Sequence, residues 1–236
     1  MKLMHGDCLE LLSTVPDSSI DMVCCDMPYG TTQCKWDSVI DLETLWMHYE
    51  RVCKKSAAIV LFAQTPFDKV LGASKLDWLR YEIIWEKPAA TGFFNAKKMP
   101  LKAHENILVF YQSLPTYNPQ MTHGHTRKTA GRKEIGSEVY GKGIKKTHYD
   151  STSRYPRSVQ KISKDNRLEN LHPTQKPVPL VEWLISTYTN EGDTVLDNCM
   201  GSGTTGVACK NLGRKFVGIE IDPKYFNAAE DRLTAA

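Results

Sequence analysis

Thr194-Val195-Leu196-Asp197-Asn198-Cys199-Met200-Gly201-Ser202-Gly203-Thr204-Thr205-Gly206 decides the fold when it is read with Lys215-Phe216-Val217-Gly218-Ile219-Glu220 downstream. Thr194–Asp197 reads as a strand, and Gly201–Gly206 as a glycine-rich turn fitting G-x-G-x-x-G. Thr204–Leu212 reads as a helix stopped by Gly213, and Lys215–Glu220 as the next strand. Glycine lets the backbone turn tightly and approach a ligand closely. A carboxylate at the end of the following strand, Glu220, suits ribose hydroxyls. The pattern invites a dinucleotide-binding domain and a nicotinamide-dependent oxidoreductase. Its position argues otherwise: only thirty residues follow Gly206, too few for a second half of that fold, and the other strands come first. A nucleoside site late in the chain implies a permuted order.

Working outward, Asp21–Cys25 is an apolar run without helical period that ends at Asp26-Met27-Pro28-Tyr29-Gly30, a strand entering a turn. Ala57–Ala63, Tyr81–Trp85 and Asn106–Tyr111 are further strand candidates. Leu42–Val52, Pro66–Leu71, Pro177–Tyr188 and Pro223–Leu233 read as helices, the third with proline in its first turn. Strands alternating with helices predict an α/β fold, Rossmann-like, with a mostly parallel sheet covered on both faces. From about residue 113 to 170 the apolar pattern fails, which marks an insert in an otherwise single domain spanning 1–236.

Charge isolates the same insert. The net charge is +3, yet Arg127 to Arg167 holds twelve Lys or Arg against four Asp or Glu, a local +8, leaving −5 elsewhere. A basic segment on an acidic body suggests a polyanion partner, or else a solvated loop. With 41% hydrophobic and 24% charged residues, the composition is that of a globular protein. No apolar run approaches the ~20 residues that span a bilayer. The N-terminus reaches Asp7 too early for a signal peptide, so the expected location is the cytoplasm, without membrane association. Seven cysteines, an odd number with no C-x-x-C pair, suit a reducing compartment and read as small buried hydrophobes. No cluster has zinc-ligand spacing, and no metal is expected.

Three motifs carry a family resemblance. Asp26-Met27-Pro28-Tyr29 resembles the Asp-Pro-Pro-Tyr tetrad of DNA amino-methyltransferases. His172-Pro173-Thr174-Gln175-Lys176-Pro177 resembles their segment before the cofactor-binding strand. Asp197-Asn198-Cys199-Met200-Gly201-Ser202-Gly203 resembles their cofactor loop, and Gly6-Asp7-Cys8 also fits. Tetrad first, basic insert next and cofactor loop last is the order of the beta class. The resemblance covers both ends of the chain and leaves the insert unmatched.

The resemblance implies methyl transfer from S-adenosylmethionine to N6 of adenine in double-stranded DNA. An aromatic amino group is a poor nucleophile because its lone pair is delocalised. Two acceptors aimed at its N–H bonds make the lone pair available and stabilise the developing positive charge. By resemblance these are the Asp26 carboxylate and the Met27 carbonyl, with Pro28 holding Met27 extended. Tyr29 offers a ring for the extruded base. The resemblance places Thr174, Gln175 and Lys176 at the methionine end of the cofactor. Asp197, Gly201, Ser202, Gly203 and Thr204 form the loop around it, and Glu220 sits on the ribose, where Asp222 is an alternative partner. Asp7 either sits near the adenine or caps the following helix. Met27 replaces the usual first proline, which a carbonyl role tolerates. Asn198-Cys199 replaces Pro-Phe and puts the packing of that wall in question.

Gly92-Phe93-Phe94-Asn95 with Lys97 and Lys98 either lines the flipped-base pocket or covers the core, whereas His104 and Glu105 read as structural. The basic insert is the expected target-recognition region, its Lys and Arg supplying phosphate affinity. N4 of cytosine is the rival target, since Asp at the first tetrad position favours adenine only as a tendency. Methylation of a cytosine ring carbon is disfavoured, because no Pro-Cys pair occurs. An inactive DNA-binding module on the same fold is the rival of another class. A homodimer is compatible with the chain, and restriction-modification is one setting that suits a short stand-alone enzyme.

Overall fold

The structure, a computed structural model, describes residues 1–30, 40–132, 135–137, 141–144, 147–163 and 175–234. The chain begins with β1 (Lys2–His5), α1 (Cys8–Leu12), β2 (Ile20–Cys25), α2 (Leu42–Val52), β3 (Cys53–Ala63), α3 (Phe67–Ser74), β4 (Leu79–Thr91) and β5 (Lys102–Phe110). It continues through β6 (Lys128–Arg132), β7 (Ile135–Ser137), β8 (Gly141–Ile144), β9 (Thr147–Ser151) and β10 (Val159–Lys161). It closes with α4 (Val178–Tyr188), β11 (Thr194–Asp197), α5 (Thr204–Leu212), β12 (Lys215–Glu220) and α6 (Pro223–Thr234). No described helix is long and apolar enough to cross a membrane.

Eight strands form the main sheet in the order β1-β12-β11-β2-β3-β5-β4-β10. Only β5 runs against its neighbours β3 and β4; the other pairs are parallel. The central strands are apolar on both faces, as helices on each side require. Along β2, Val23 and Cys25 enter a core with Leu45, Trp46 and Tyr49 of α2. Met22 and Cys24 enter the opposite core, with Leu184 and Ile185 of α4. In β3, Ile59 and Leu61 pack with the first group, Val60 and Phe62 with the second.

The permutation has a direct geometric result. The late strand β11 lies beside the early strand β2 in parallel, with Val195 opposite Met22 and Leu196 opposite Val23. Their carboxyl ends therefore open side by side, where crevices form in open α/β sheets. The loops at 26–29 and 197–203 emerge there together.

Most expected elements appear at or near their expected bounds. The exceptions are short. The four-residue β1 and three-residue β10 carry too little apolar pattern to read. β10 falls within the expected insert, yet it joins the main sheet beside β4.

Residues 119–157 form a separate compact unit, so the insert is not the patternless stretch that its composition suggested. Within it β6 pairs antiparallel with β9, and β7 with β8. The Arg127 guanidinium donates to both carboxylate oxygens of Asp150, at 2.8 and 2.6 Å. Arg154 donates to the carbonyls of Thr126, Ser151 and Ser153. Side-chain hydrogen bonds and ladder pairs hold these strands, so hydrophobic periodicity does not reveal them.

Candidate active site

One cavity of about 280 Å³ opens at the ends of β2 and β11. Its wall includes Asp26, Met27, Pro28 and Tyr29 from the first loop, and Asp197, Gly201, Ser202 and Thr204 from the second. Asp7, Gln175, Lys176 and Glu220, also singled out in the sequence, line it too. Residues separated by nearly the whole chain thus share one chamber.

The tetrad end is organised around Asp26. Its Oδ1 accepts from the Tyr29 hydroxyl at 2.5 Å, and its Oδ2 from Lys176 Nζ at 2.5 Å. Lys176 is also 3.2 Å from Glu105 Oε2, and Glu105 Oε1 is 2.5 Å from Lys87 Nζ. Side-chain exposure is 9% for Lys176 and 7% for Glu105, so the network is largely dry and its charges must be paired. Burial disfavours the Lys176 ammonium, but attraction to Asp26 and Glu105 outweighs it and raises its pKa. Burial likewise opposes ionised Glu105, and the two lysines overcome it, lowering its pKa. The Tyr29 ring stacks on Phe67 with centroids 5.5 Å apart. Burial and then the Asp26 charge hold its hydroxyl protonated.

At the other end, Glu220 Oε2 accepts from the Gly201 N–H and Oε1 from the Asp222 N–H, both at 2.8 Å. The carboxylate is held in place with lone pairs to spare. Asp222 is engaged through its backbone here, and its carboxylate accepts from the Lys224 N–H. Asp197 is buried beneath the loop and takes bonds from the Cys199 N–H at 3.1 Å and the Thr205 hydroxyl at 2.6 Å. Burial pushes its carboxyl up to about 6, against partial relief from those donors. Asp7 takes the capping role expected of it. It lines the cavity and caps α1, accepting from the Leu9 N–H at 2.8 Å.

A family model described as DNA methylase matches residues 20–231. The chain belongs to that family of DNA amino-methyltransferases. It is 30% identical to the DNA adenine methyltransferase YhdJ of Escherichia coli strain K12, over 99% of this chain and 83% of the relative. It is 28% identical to the type II methyltransferase M.HinfI of Haemophilus influenzae, over 98% and 67%. Among solved structures, the M1.HpyAVI–SAM complex matches with a TM-score of 0.69 at 25% identity, over 99% and 98% of the two chains. The cytosine-N4-specific PvuII methyltransferase matches at 0.72 with 18% identity, over 98% and 85%, a likeness of fold.

Two of the residues singled out in the sequence of this DNA methylase make contacts that the sequence did not reveal. Gly203 lies outside the cavity wall, and a Cβ there would meet Ala229 Cβ at 3.1 Å. At Gly206 a Cβ would lie 2.7 Å from Leu233 Cδ1 and 2.9 Å from Phe216. These two glycines let α5 approach α6 and β12, whereas Gly201, at φ +51°, makes the turn beside the cavity. Lys176 lines the cavity with its ammonium on Asp26 and Glu105, while Gln175 meets the loop by accepting from the Ser202 hydroxyl at 3.3 Å. Thr174 lies outside the described residues.

The Asn198-Cys199 departure also finds its packing. Asn198 is buried and accepts from the Tyr49 hydroxyl at 2.6 Å. The Cys199 thiol contacts Cys8 and Cys25. Hydrogen bonding to Cys199 and burial push the Cys8 thiol up, and burial foremost raises Cys25 to about 12. The sulfurs are thus protonated and pack this wall, whose packing the sequence left in question. Glu105, Phe62 and Gln64 also line the cavity. Sequence reasoning took Glu105 as structural. The available signal was a carboxylate next to the apolar run Asn106–Tyr111, where a charge needs a partner.

Proposed function

We propose that this DNA methyltransferase transfers a methyl group from S-adenosylmethionine to N6 of adenine in duplex DNA, acting on a base extruded from the helix. The observation that carries the reading is the shared chamber, with the Asp26 tetrad at one end and the Gly201–Glu220 pair at the other. A nucleoside would sit where the anchored Glu220 carboxylate lines the cavity beside the half-buried Gly201 turn. Glu220 would accept from the ribose, and Ser202, Gln175 and Thr204 would hold the rest of the cofactor. The cofactor supplies an electrophilic methyl group on sulfur.

The remaining work falls to the protein. Asp26 is an acceptor for the target amino group. A carboxylate offers about four lone-pair positions, and Tyr29 and Lys176 occupy two. Lys176 orients the carboxylate, and Glu105 neutralises the lysine so that it can remain buried. The Met27 carbonyl is the second acceptor. Tyr29, backed by Phe67, presents a ring to the base. Alignment of nitrogen with methyl in a chamber of fixed dipoles supplies the acceleration. Adenine is favoured by the Asp26 side chain at the tetrad's first position, and by the likeness to a relative named as an adenine methyltransferase.

The test uses unmethylated DNA of mixed sequence and isotopically labelled S-adenosylmethionine, followed by hydrolysis to nucleosides and mass identification. Labelled N6-methyl-2′-deoxyadenosine from the wild type, absent with Asp26→Ala, is the expected result. Labelled 4-methylcytidine would keep the chemistry and replace the base. No label on DNA, with cofactor bound, would overturn the reading.

A further inference from the structure

Phe93 and Phe94 satisfy neither reading available from sequence. They are 80% and 103% exposed, and neither lines the cavity. The segment carrying them is nevertheless ordered by its backbone. Gly92 adopts φ +87°, Phe93–Asn95 forms a 3-10 turn, and the N–H groups of Asn95, Ala96, Lys98 and Met99 donate back to the turn at 2.8–3.0 Å. Met99 and Leu101 are exposed beside them, at 52% and 41%. Two large aromatic rings displayed on a hydrogen-bonded turn contribute nothing to the core, and such exposed apolar groups mark an interaction surface.

Charge identifies the partner. No Asp or Glu occurs between Glu86 and Glu105, whereas Lys87, Lys97, Lys98 and Lys102 do. Lys87 is committed to Glu105, but Lys97 and Lys98 are exposed at the tip. The hairpin itself links that tip to the chemistry. Its last ladder pair is Thr91 with Lys102, three residues along β5 from Glu105, and Glu105 holds the lysine that holds Asp26.

We propose that Phe93 and Phe94 are a wedge that enters duplex DNA beside the target and fills the space vacated by the extruded base, with Lys97 and Lys98 on the flanking phosphates. The proposal rests on the DNA reading above. Apolar side chains inserted between base steps offset the unstacking that extrusion costs. An abasic residue in the duplex removes the extrusion cost and exposes the gap, so it probes the wedge without knowledge of the recognition sequence.

The experiment measures affinity of the full chain, with cofactor, for a labelled mixed-sequence duplex with and without one abasic residue. Wild type is expected to prefer the abasic duplex by about tenfold, within the range of aromatic stacking on a base. Phe93→Ala/Phe94→Ala is expected to lose that preference while keeping cofactor affinity and melting temperature. Lys97→Ala/Lys98→Ala weakens binding to both duplexes alike. Equal binding of the two duplexes by wild type, or a preference retained by the Phe variant, overturns the wedge alone. Wild type that binds cofactor but neither duplex overturns the DNA reading along with it. Binding to anionic lipid vesicles that depends on both phenylalanines, with unchanged DNA affinity, assigns the tip to a membrane and overturns the proposal.

Discussion

Asp26 meets one hydroxyl and one ammonium, and each contact has its own measurable consequence. Tyr29→Phe keeps the ring and removes the hydroxyl that donates to Asp26. A hydrogen bond to a charged group contributes about 1.5–3 kcal/mol, so kcat on DNA should fall roughly 10- to 100-fold, with cofactor Kd unchanged in calorimetry. Lys176→Gln is the harsher change, because it leaves Asp26 and Glu105 without their shared cation. Breaking a buried pair costs about 3–5 kcal/mol, which a denaturant titration should show as a lower midpoint. Methyl transfer should fall more steeply than cofactor affinity, since the ammonium serves the carboxylate. The tetrad was legible from sequence because four adjacent residues carry it. The role of Glu105 was not, because a buried charge is explained only by partners distant in the chain.

Asp197 gives a pH prediction with a definite sign. Burial raises its carboxyl to about 6, above the unfolded value of about 3.9. The folded state therefore binds this proton more tightly. The stabilisation is fully present below about pH 4 and is lost as pH rises through about 6, a change of about 3 kcal/mol. Asp197→Asn removes that dependence. Chemical denaturation between about pH 4 and pH 7 should show the variant gaining on wild type as pH rises; parallel profiles would refute the assignment.

At the scale of elements, the contact of α5 with α6 and β12 rests on missing side chains. Gly206→Ala places a methyl 2.7 Å from Leu233 Cδ1 and 2.9 Å from Phe216. Overpacking of this kind costs about 1–3 kcal/mol. Leu233→Ala should cost less in the Gly206→Ala background than in wild type, a coupling that a double-mutant cycle on unfolding free energies would measure. Additive effects would place the strain elsewhere. The glycine spacing was visible from the start, but its reason was only partly so. Sequence reasoning assigned it to a tight turn and to ligand approach, whereas Gly203 and Gly206 also face helix α6. Helix α2 and strands β11 and β12 matched their sequence readings because caps, glycine stops and unbroken apolar runs are local signals. Strands β1 and β10 escaped because pairing, and not pattern, forms them.

Over the whole molecule, charge is divided between a body of −5 and the basic segment 127–167 of +8. The logarithm of the affinity for duplex DNA should fall linearly with the logarithm of salt concentration. Lys128, exposed in the unit 119–157, should weaken all sequences about equally when changed to Ala and lower the salt slope by about one. Changed sequence preference with an unchanged slope would assign it to base reading instead. Arg127 and Arg154 are different, because each is already engaged within that unit by Asp150 or by carbonyls.

The chain by itself determined the fold class, the permuted order, and the tetrad and cofactor loop, because each is encoded by adjacent residues or by an apolar period. Only the tertiary structure decided that β2 and β11 are parallel neighbours, so that the two motifs share one chamber. It also decided that Lys176 pairs with Asp26, that Asn198 meets Tyr49 and Cys199 meets Cys8 and Cys25, and that Phe93 and Phe94 stand in solvent. Those facts depend on which distant residues meet, and on which faces remain uncovered once the sheet has formed. A linear pattern carries neither, because burial and charge pairing are properties of the assembled molecule.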